Sequence, residues 1–286
     1  MIRESVAFAV GLVCVAALAA EAAPLKINGS TTVNLPVAEA AEILRAEQGL
    51  QIQVDTQGGS SGGIAMLGDG QVQIGMSSKP VSDEDRTKFP KVSFKAIHIG
   101  EDAVAMIVSG DVWDGGVHAL TKEQIAGIYE RKITNWNQVG GADRRIAFFN
   151  KEPGRGTWEV FAHWVYGSPQ TAPHVNFPEV GGNEETRTKV ASTRGAMSQL
   201  SSSWADGRKV FALGIKVGDA VIAPTPANIA TRKYPMSRPL FLLTNGEPQG
   251  EAKVFVDFLL SARGQALVRK HGYLSLDQLE TGHAPD

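Results

Sequence analysis

Cysteine is nearly absent: Cys14 is the only one among 286 residues. An intramolecular disulfide is therefore excluded. An excess of charge is missing as well, with 28 basic and 30 acidic residues and a net charge of −2. Duplex binding usually shows as a clear basic excess, so no nucleic-acid partner is expected. The six histidines show no metal-ligand spacing, and no Walker A or dinucleotide fingerprint occurs. Neither a metal nor another cofactor is expected. Long apolar runs are also scarce. The one candidate, Ser5 to Ala20, falls short of the ~20 residues that a membrane-spanning helix needs.

That run follows Arg3 and ends in Ala20-Glu21-Ala22. A basic start, a short apolar stretch and an Ala-x-Ala site predict a secretory signal peptide over residues 1–22. Cys14 lies inside it, and Val13 stands where a lipoprotein signal would carry a small residue. The mature chain is then free of cysteine, without a thiol catalyst, and safe from mispairing in an oxidising compartment. Its length suits two domains of about 130 residues each.

Hydrophobic periodicity predicts a strand at Leu25 to Asn28, a helix from Leu35 to Gln48, and a strand at Leu50 to Thr56. A Gly/Ser loop from Gln57 to Gly63 follows, then a short helix through Ile64 to Leu67. A strand at Val72 to Met76 comes next. Ser82 reads as the cap of a helix through Asp85. Ala103 to Val108 reads as a strand, and Thr121 caps a helix through Tyr129. A strand at Ile146 to Phe149, a turn at Lys151 to Thr157 and a helix with Val160, Phe161 and Trp164 restart the pattern. Asn183 to Ser192 and Ala196 to Trp204 read as helices, and Val210 to Ile215 as a strand. Pro224 to Pro239 reads as a rigid connector, Leu240 to Leu243 as a strand. Helices at Ala252 to Leu260 and Gly264 to Lys270 precede a polar tail. Strand, turn and helix in repetition imply a mostly parallel α/β sheet, with ligands gathering at the carboxyl ends of its strands.

Three of the strand-to-helix turns carry hydroxyls or glycines: Ser30-Thr31-Thr32, Ser60-Ser61-Gly62 and Arg155-Gly156-Thr157. A helix N-terminus offers free amides and a positive dipole end, which suit an oxyanion. Any one such turn alone is simply an N-cap and a tight loop. Three at strand ends point to one anion site. Gly59-Ser60-Ser61-Gly62-Gly63 also fits the nucleophile-elbow pattern G-x-S-x-G, so a serine hydrolase using Ser61 is a competing, weaker reading. His163, His174 and His271 follow it in no recognisable setting. Of the five tryptophans, Trp158 alone directly follows one of these turns.

At these turns the chain resembles the periplasmic phosphate-binding proteins of Pst-type ABC transporters, the PstS-like proteins with a type II binding-protein fold. The matching stretches are Gly29 to Val33, Gly58 to Ile64, Ile74 to Pro80, Ile133 to Gly141, Tyr234 to Leu240 and Gly264 to Val268. The resemblance implies two α/β lobes with a ligand cleft between them and two crossing hinge strands, near Val108 to Gly110 and Ser237 to Leu240. Lobe I would span 23–108 plus 238–286, and lobe II 109–237. It implies a non-catalytic, periplasmic, monomeric receptor that binds inorganic phosphate and delivers it to an inner-membrane permease. The expected ligand-binding set is Ser30, Thr31, Thr32, Ser60, Ser61, Gly62, Ser78, Lys79, Arg155, Gly156 and Thr157. The resemblance carries over Thr31, Thr32, Ser60, Ser78 and Arg155 to Thr157 by position, the turns add Ser30, Ser61 and Gly62, and Lys79 adds charge. Ser78 stands where some members carry a proton-accepting aspartate. Lys151, Arg155, Gly156, Thr157 and Trp158 stand where the family usually reads Arg-x-x-x-Ser-Gly-Thr, often followed by another arginine. Arg194 replaces a frequent turn proline, so extra positive charge near the cleft is expected. These departures leave open a same-fold protein for another oxyanion, or a sensor without a transport role.

Overall fold

The computed structural model describes residues 23–280. The leader read at 1–22 lies outside them. The chain opens with β1 (Leu25–Gly29), α1 (Asn34–Gln48), β2 (Ile52–Asp55), α2 (Gly59–Gly68), β3 (Ile74–Ser77), α3 (Asp83–Lys88) and the long β4 (Phe94–Ser109). It continues through α4 (Gly110–Asp114), β5 (Ala119–Leu120), α5 (Lys122–Tyr129), β6 (Ala147–Lys151), α6 (Gly156–Tyr166), β7 (Glu179–Val180) and α7 (Asn183–Ser192). Then come β8 (Ala196–Ser201), β9 (Val210–Ala212), β10 (Gly214–Val217), β11 (Ala220–Ile222) and α8 (Pro226–Ala230). The chain returns through β12 (Ser237–Asn245) and ends in α9 (Gly250–Leu260), α10 (Ala262–Lys270) and α11 (Leu276–Glu280).

Local chemistry sets these elements. In α1, Val37, Ala40, Ala41 and Leu44 recur at helical spacing and are buried, and Gly49 ends the helix at φ 69°. Ser82 and Thr121 cap α3 and α5 as reciprocal capping boxes with Asp85 and Gln124. Strands run in the order β2-β1-β3-β12-β4-β8-β6-β7, with β9 also on β4. A small sheet of β11, β10 and β5 stands apart.

Two cores result. One packs α1, α9 and α10 on β1, β3 and β12, with Ile27, Leu44, Met76 and Phe255 buried. The other gathers Val104, Met106, Tyr129, Trp136, Phe161 and Met197 around β4, β6 and β8. Strand β4 joins them: it pairs with β12 up to Ala103 and with β8 from Val104 onward. The exchange of partners therefore precedes the Val108 to Gly110 crossing read from the sequence.

Three sequence expectations are corrected. The main sheet is mixed rather than mostly parallel, because β12 runs antiparallel to β3 and β4, and β4 antiparallel to β8 and β9. Ala196 to Trp204 is a buried strand plus a 3-10 turn, not a helix. It looked helical because Ser198, Gln199 and Ser201 are polar, yet all three are buried between β4 and β6 and bonded inside the fold, Ser201 Oγ to Asp102 at 2.8 Å and Gln199 Nε2 to Asn150 at 3.1 Å. The Gln57 to Gly63 loop is helical from Gly59 onward. Glycine is needed there for close approach: a Cβ on Gly63 would lie 2.7 Å from the Met76 carbonyl oxygen and 2.8 Å from that of Asn28. Two smaller differences concern the connector at Pro224 to Pro239, which contains α8, capped by Thr225 with Pro226 in its first turn, and the tail, which begins with α11.

Candidate anion-binding site

Four helix N-termini meet at one place: those of α1 and α2 from the first lobe, and α6 and α7 from the second. The small cavity between them is lined by Ser30, Thr31, Thr32, Gly59, Ser60, Ser78, Lys151, Arg155, Gly156, Thr157, Gly181 and Asn183. Its open volume is about 10 Å³, near the space of one water molecule. A larger guest requires the lining side chains to turn away from one another or the lobes to part.

The hydroxyls sit at strand ends and helix starts. Ser30 Oγ lies 3.1 Å from Ser78 Oγ and accepts from the Thr32 and Val33 amides at 3.3 and 3.4 Å. Ser60 Oγ lies 3.3 Å from Ser78 Oγ and accepts the Ser78 amide at 3.1 Å. Gly156 must be a glycine for this cluster to close: a Cβ there would lie 2.6 Å from Ser78 Oγ and 2.8 Å from Ser60 Oγ.

Cations surround the hydroxyls. The fully buried Arg238 guanidinium grips Asp102 through Nε and Nη2 at 3.0 and 2.7 Å. It also donates to Thr157 Oγ1 at 3.0 Å and to Thr32 Oγ1 at 3.1 Å, one hydroxyl from each lobe. Burial pushes the Asp102 carboxyl up, while Arg238 and Ser201 pull it back. Lys151 is buried, and its ammonium lies within bonding distance of the carbonyls of Gly181 and Gly182, Asn183 Oδ1 and Thr186 Oγ1, at 2.6 to 3.2 Å. Burial first, then the charges of Arg155 and Arg238, bring its pKa down to about 7. The charges of Glu185 and Glu152 work the other way. Arg155 precedes α6, is held by Glu152 at 2.7 Å, and lies against Gly59 of one lobe and Gly181 of the other. No carboxylate lines the cavity. An all-donor site with net positive charge suits a small tetrahedral oxyanion.

Of the residues read from the sequence, Ser30, Thr31, Thr32, Ser60, Ser78, Arg155, Gly156 and Thr157 come together at the cavity. Ser61, Gly62 and Lys79 stand beside it. The Ser61 amide reaches the Gly154 carbonyl across the lobes at 3.1 Å, and the Gly62 amide closes a turn of α2 on Gly58. Lys79 pairs with Glu159 of α6 at 2.6 Å. Trp158 does not line the cavity and lies by Tyr129. Arg194 lines a separate groove rather than the cleft, which corrects the expectation of added charge there. The elbow reading of Ser61 finds two of its three histidines engaged elsewhere, His163 with the Gly167 carbonyl and His271 with Glu39. Sequence reasoning passed over Arg238, Asp102 and Asn183. Arg238 lay in the Tyr234 to Leu240 stretch that carries the resemblance, but no role was read for it there.

The PBP superfamily domain model matches residues 15–263. The phosphate-binding protein PstS of Bacillus subtilis is 29% identical, over 90% of this chain and 82% of its own. PstS of Borreliella burgdorferi is 28% identical, over 88% of this chain and 90% of its own. A Clostridium perfringens structure, described as a phosphate ABC transporter substrate-binding protein with bound phosphate, superposes with a TM-score of 0.78 at 28% identity. It covers 89% of this chain and 100% of its own. An ABC-type phosphate transport receptor of Vibrio cholerae gives 0.68 at 28% identity, covering 87% and 99%. The architecture described above is the two-lobed type II binding-protein fold that these structures share.

Proposed function

Because this chain belongs to the PBP superfamily, we propose that it is an extracytoplasmic receptor that binds inorganic phosphate between its lobes and delivers it to an ABC transporter permease. One observation carries the reading: Arg238, on a strand that joins the lobes, donates to Thr32 of one lobe and Thr157 of the other. A tetrahedral oxyanion placed among these hydroxyls collects donors from both lobes at once. Only the closed form offers that full set, so the ligand stabilises closure. The ligand set is that of the cavity lining, with Arg238 added. The lobes divide where β4 exchanges partners, at Ala103 and Val104, and where β12 begins at Ser237.

The chemistry required is binding, with donors and no paired nucleophile and base. Among the described residues no helix is long and apolar enough to cross a membrane. A monomer exported by its leader accords with that role. Sulfate is the competing ligand, because the lining lacks a carboxylate that would repel an oxyanion carrying no proton.

Thr157→Asp tests the site: it removes a donor, adds a repelling charge, and is expected to abolish phosphate binding. Unchanged affinity would take the α6 turn out of the site. Restoration of phosphate uptake in cells lacking their own binding protein tests delivery.

A further inference from the structure

A second cavity lies in the lobe that contains β6 and shares no lining residue with the anion site. It is a groove of about 800 Å³ whose lining holds three arginines, Arg131, Arg145 and Arg194, and no acid. All three are exposed, and among the described residues none has a carboxylate within ion-pair distance. Arg131 is preset: its guanidinium stacks 4.6 Å from the Phe177 ring and donates to the Asn176 carbonyl. Ile133, Ile146 and Phe177 make the walls apolar.

The floor is one edge of β6. The Ala147 amide points to Gly195, toward β8, whereas the amides of Ile146 and Asn150 point the other way, to Thr134 and Pro178. Alternation along a strand therefore turns the Phe148 amide and carbonyl toward the groove. There β6 has no partner strand, because β7 pairs only with Asn150 and Lys151.

We propose that this groove docks an extended segment of a partner protein in which acidic side chains alternate with apolar ones. Carboxylates would meet the arginine forks, apolar side chains the walls, and the segment's backbone the Phe148 peptide. The proposal stands apart from the anion site and does not depend on its ligand.

Fluorescence anisotropy of a labelled hexapeptide alternating glutamate and valine, added to the intact protein at low salt, tests it. Saturable binding is expected. It should weaken about tenfold or more in an Arg131→Gln, Arg145→Gln, Arg194→Gln triple variant, whose three sites are exposed. Thr157→Asp should leave it unchanged. The idea fails if the wild type does not bind, if a glutamine-valine peptide binds equally well, or if the triple variant matches the wild type. Binding to phosphatidylglycerol vesicles with none to the peptide would assign the groove to a membrane surface instead.

Discussion

Arg238 and Asp102 are each about 1% exposed and face each other across the two strands that join the lobes. Removing one partner leaves the other charged, buried and alone, which costs about 3–5 kcal/mol. Arg238→Leu should therefore lower stability in urea by that order. The Arg238→Leu, Asp102→Leu double variant should recover most of it. A double variant as unstable as the single would contradict this pairing. Lys151 gives the pH prediction. Its folded pKa, about 7, lies below its ordinary value, 10.5. The folded state then holds fewer protons than the unfolded state between those limits, so this group's contribution makes stability rise with pH across that window. A bound oxyanion favours the charged amine, so binding at pH 8 should take up a proton. Titration in two buffers of different ionisation heat reads that uptake, which Lys151→Met should reduce. Equal uptake in both proteins would remove Lys151 from the linkage. The hydroxyl turns were legible because Ser30, Ser60 and Thr157 sit at strand-to-helix junctions, where local chemistry names them. Arg238 and Asn183 were not, since each gains its role from a partner far along the chain on the other lobe, Thr157 for Arg238 and Thr32 for Asn183.

Helix starts and close approaches govern the element scale. Gly156→Ala should weaken phosphate binding at least tenfold, because its Cβ meets Ser78 and Ser60. Its unfolding midpoint should change little, because the lobes can part to accommodate it. A calorimetric affinity equal to wild type would contradict the packing described. Gly63→Ala should do the reverse and lower stability by about 1–3 kcal/mol, because α2 must lift off the backbone of β1 and β3. Most elements could be read from periodicity and caps, as with α1, α3 and α5. Strand β8 could not, because burial on both faces erased its alternation and its polar residues are paid for by bonds to Asp102 and Asn150.

The whole molecule is two cores joined by strands, with contacts that hold the lobes together. Lys79 and Glu159 form one such latch, at 8% and 21% side-chain exposure. Lys79→Met should favour the open form, speed phosphate release and enlarge the ligand-free particle in small-angle scattering. Scattering identical to the wild type would leave the latch without a role in closure. The two-lobed plan was legible from the restart of strand, turn and helix after β4. The change of partners along β4 was not read, although the charged pair Glu101-Asp102 stands directly before it at Ala103 and Val104.

Calorimetric titration of the purified protein, stripped of ligand, with phosphate and then with sulfate at neutral pH bears on the anion site without an intermediary. Saturable phosphate binding at one site per chain, abolished by Thr157→Asp, is expected. The absence of phosphate heat, or binding that survives that variant, would contradict it.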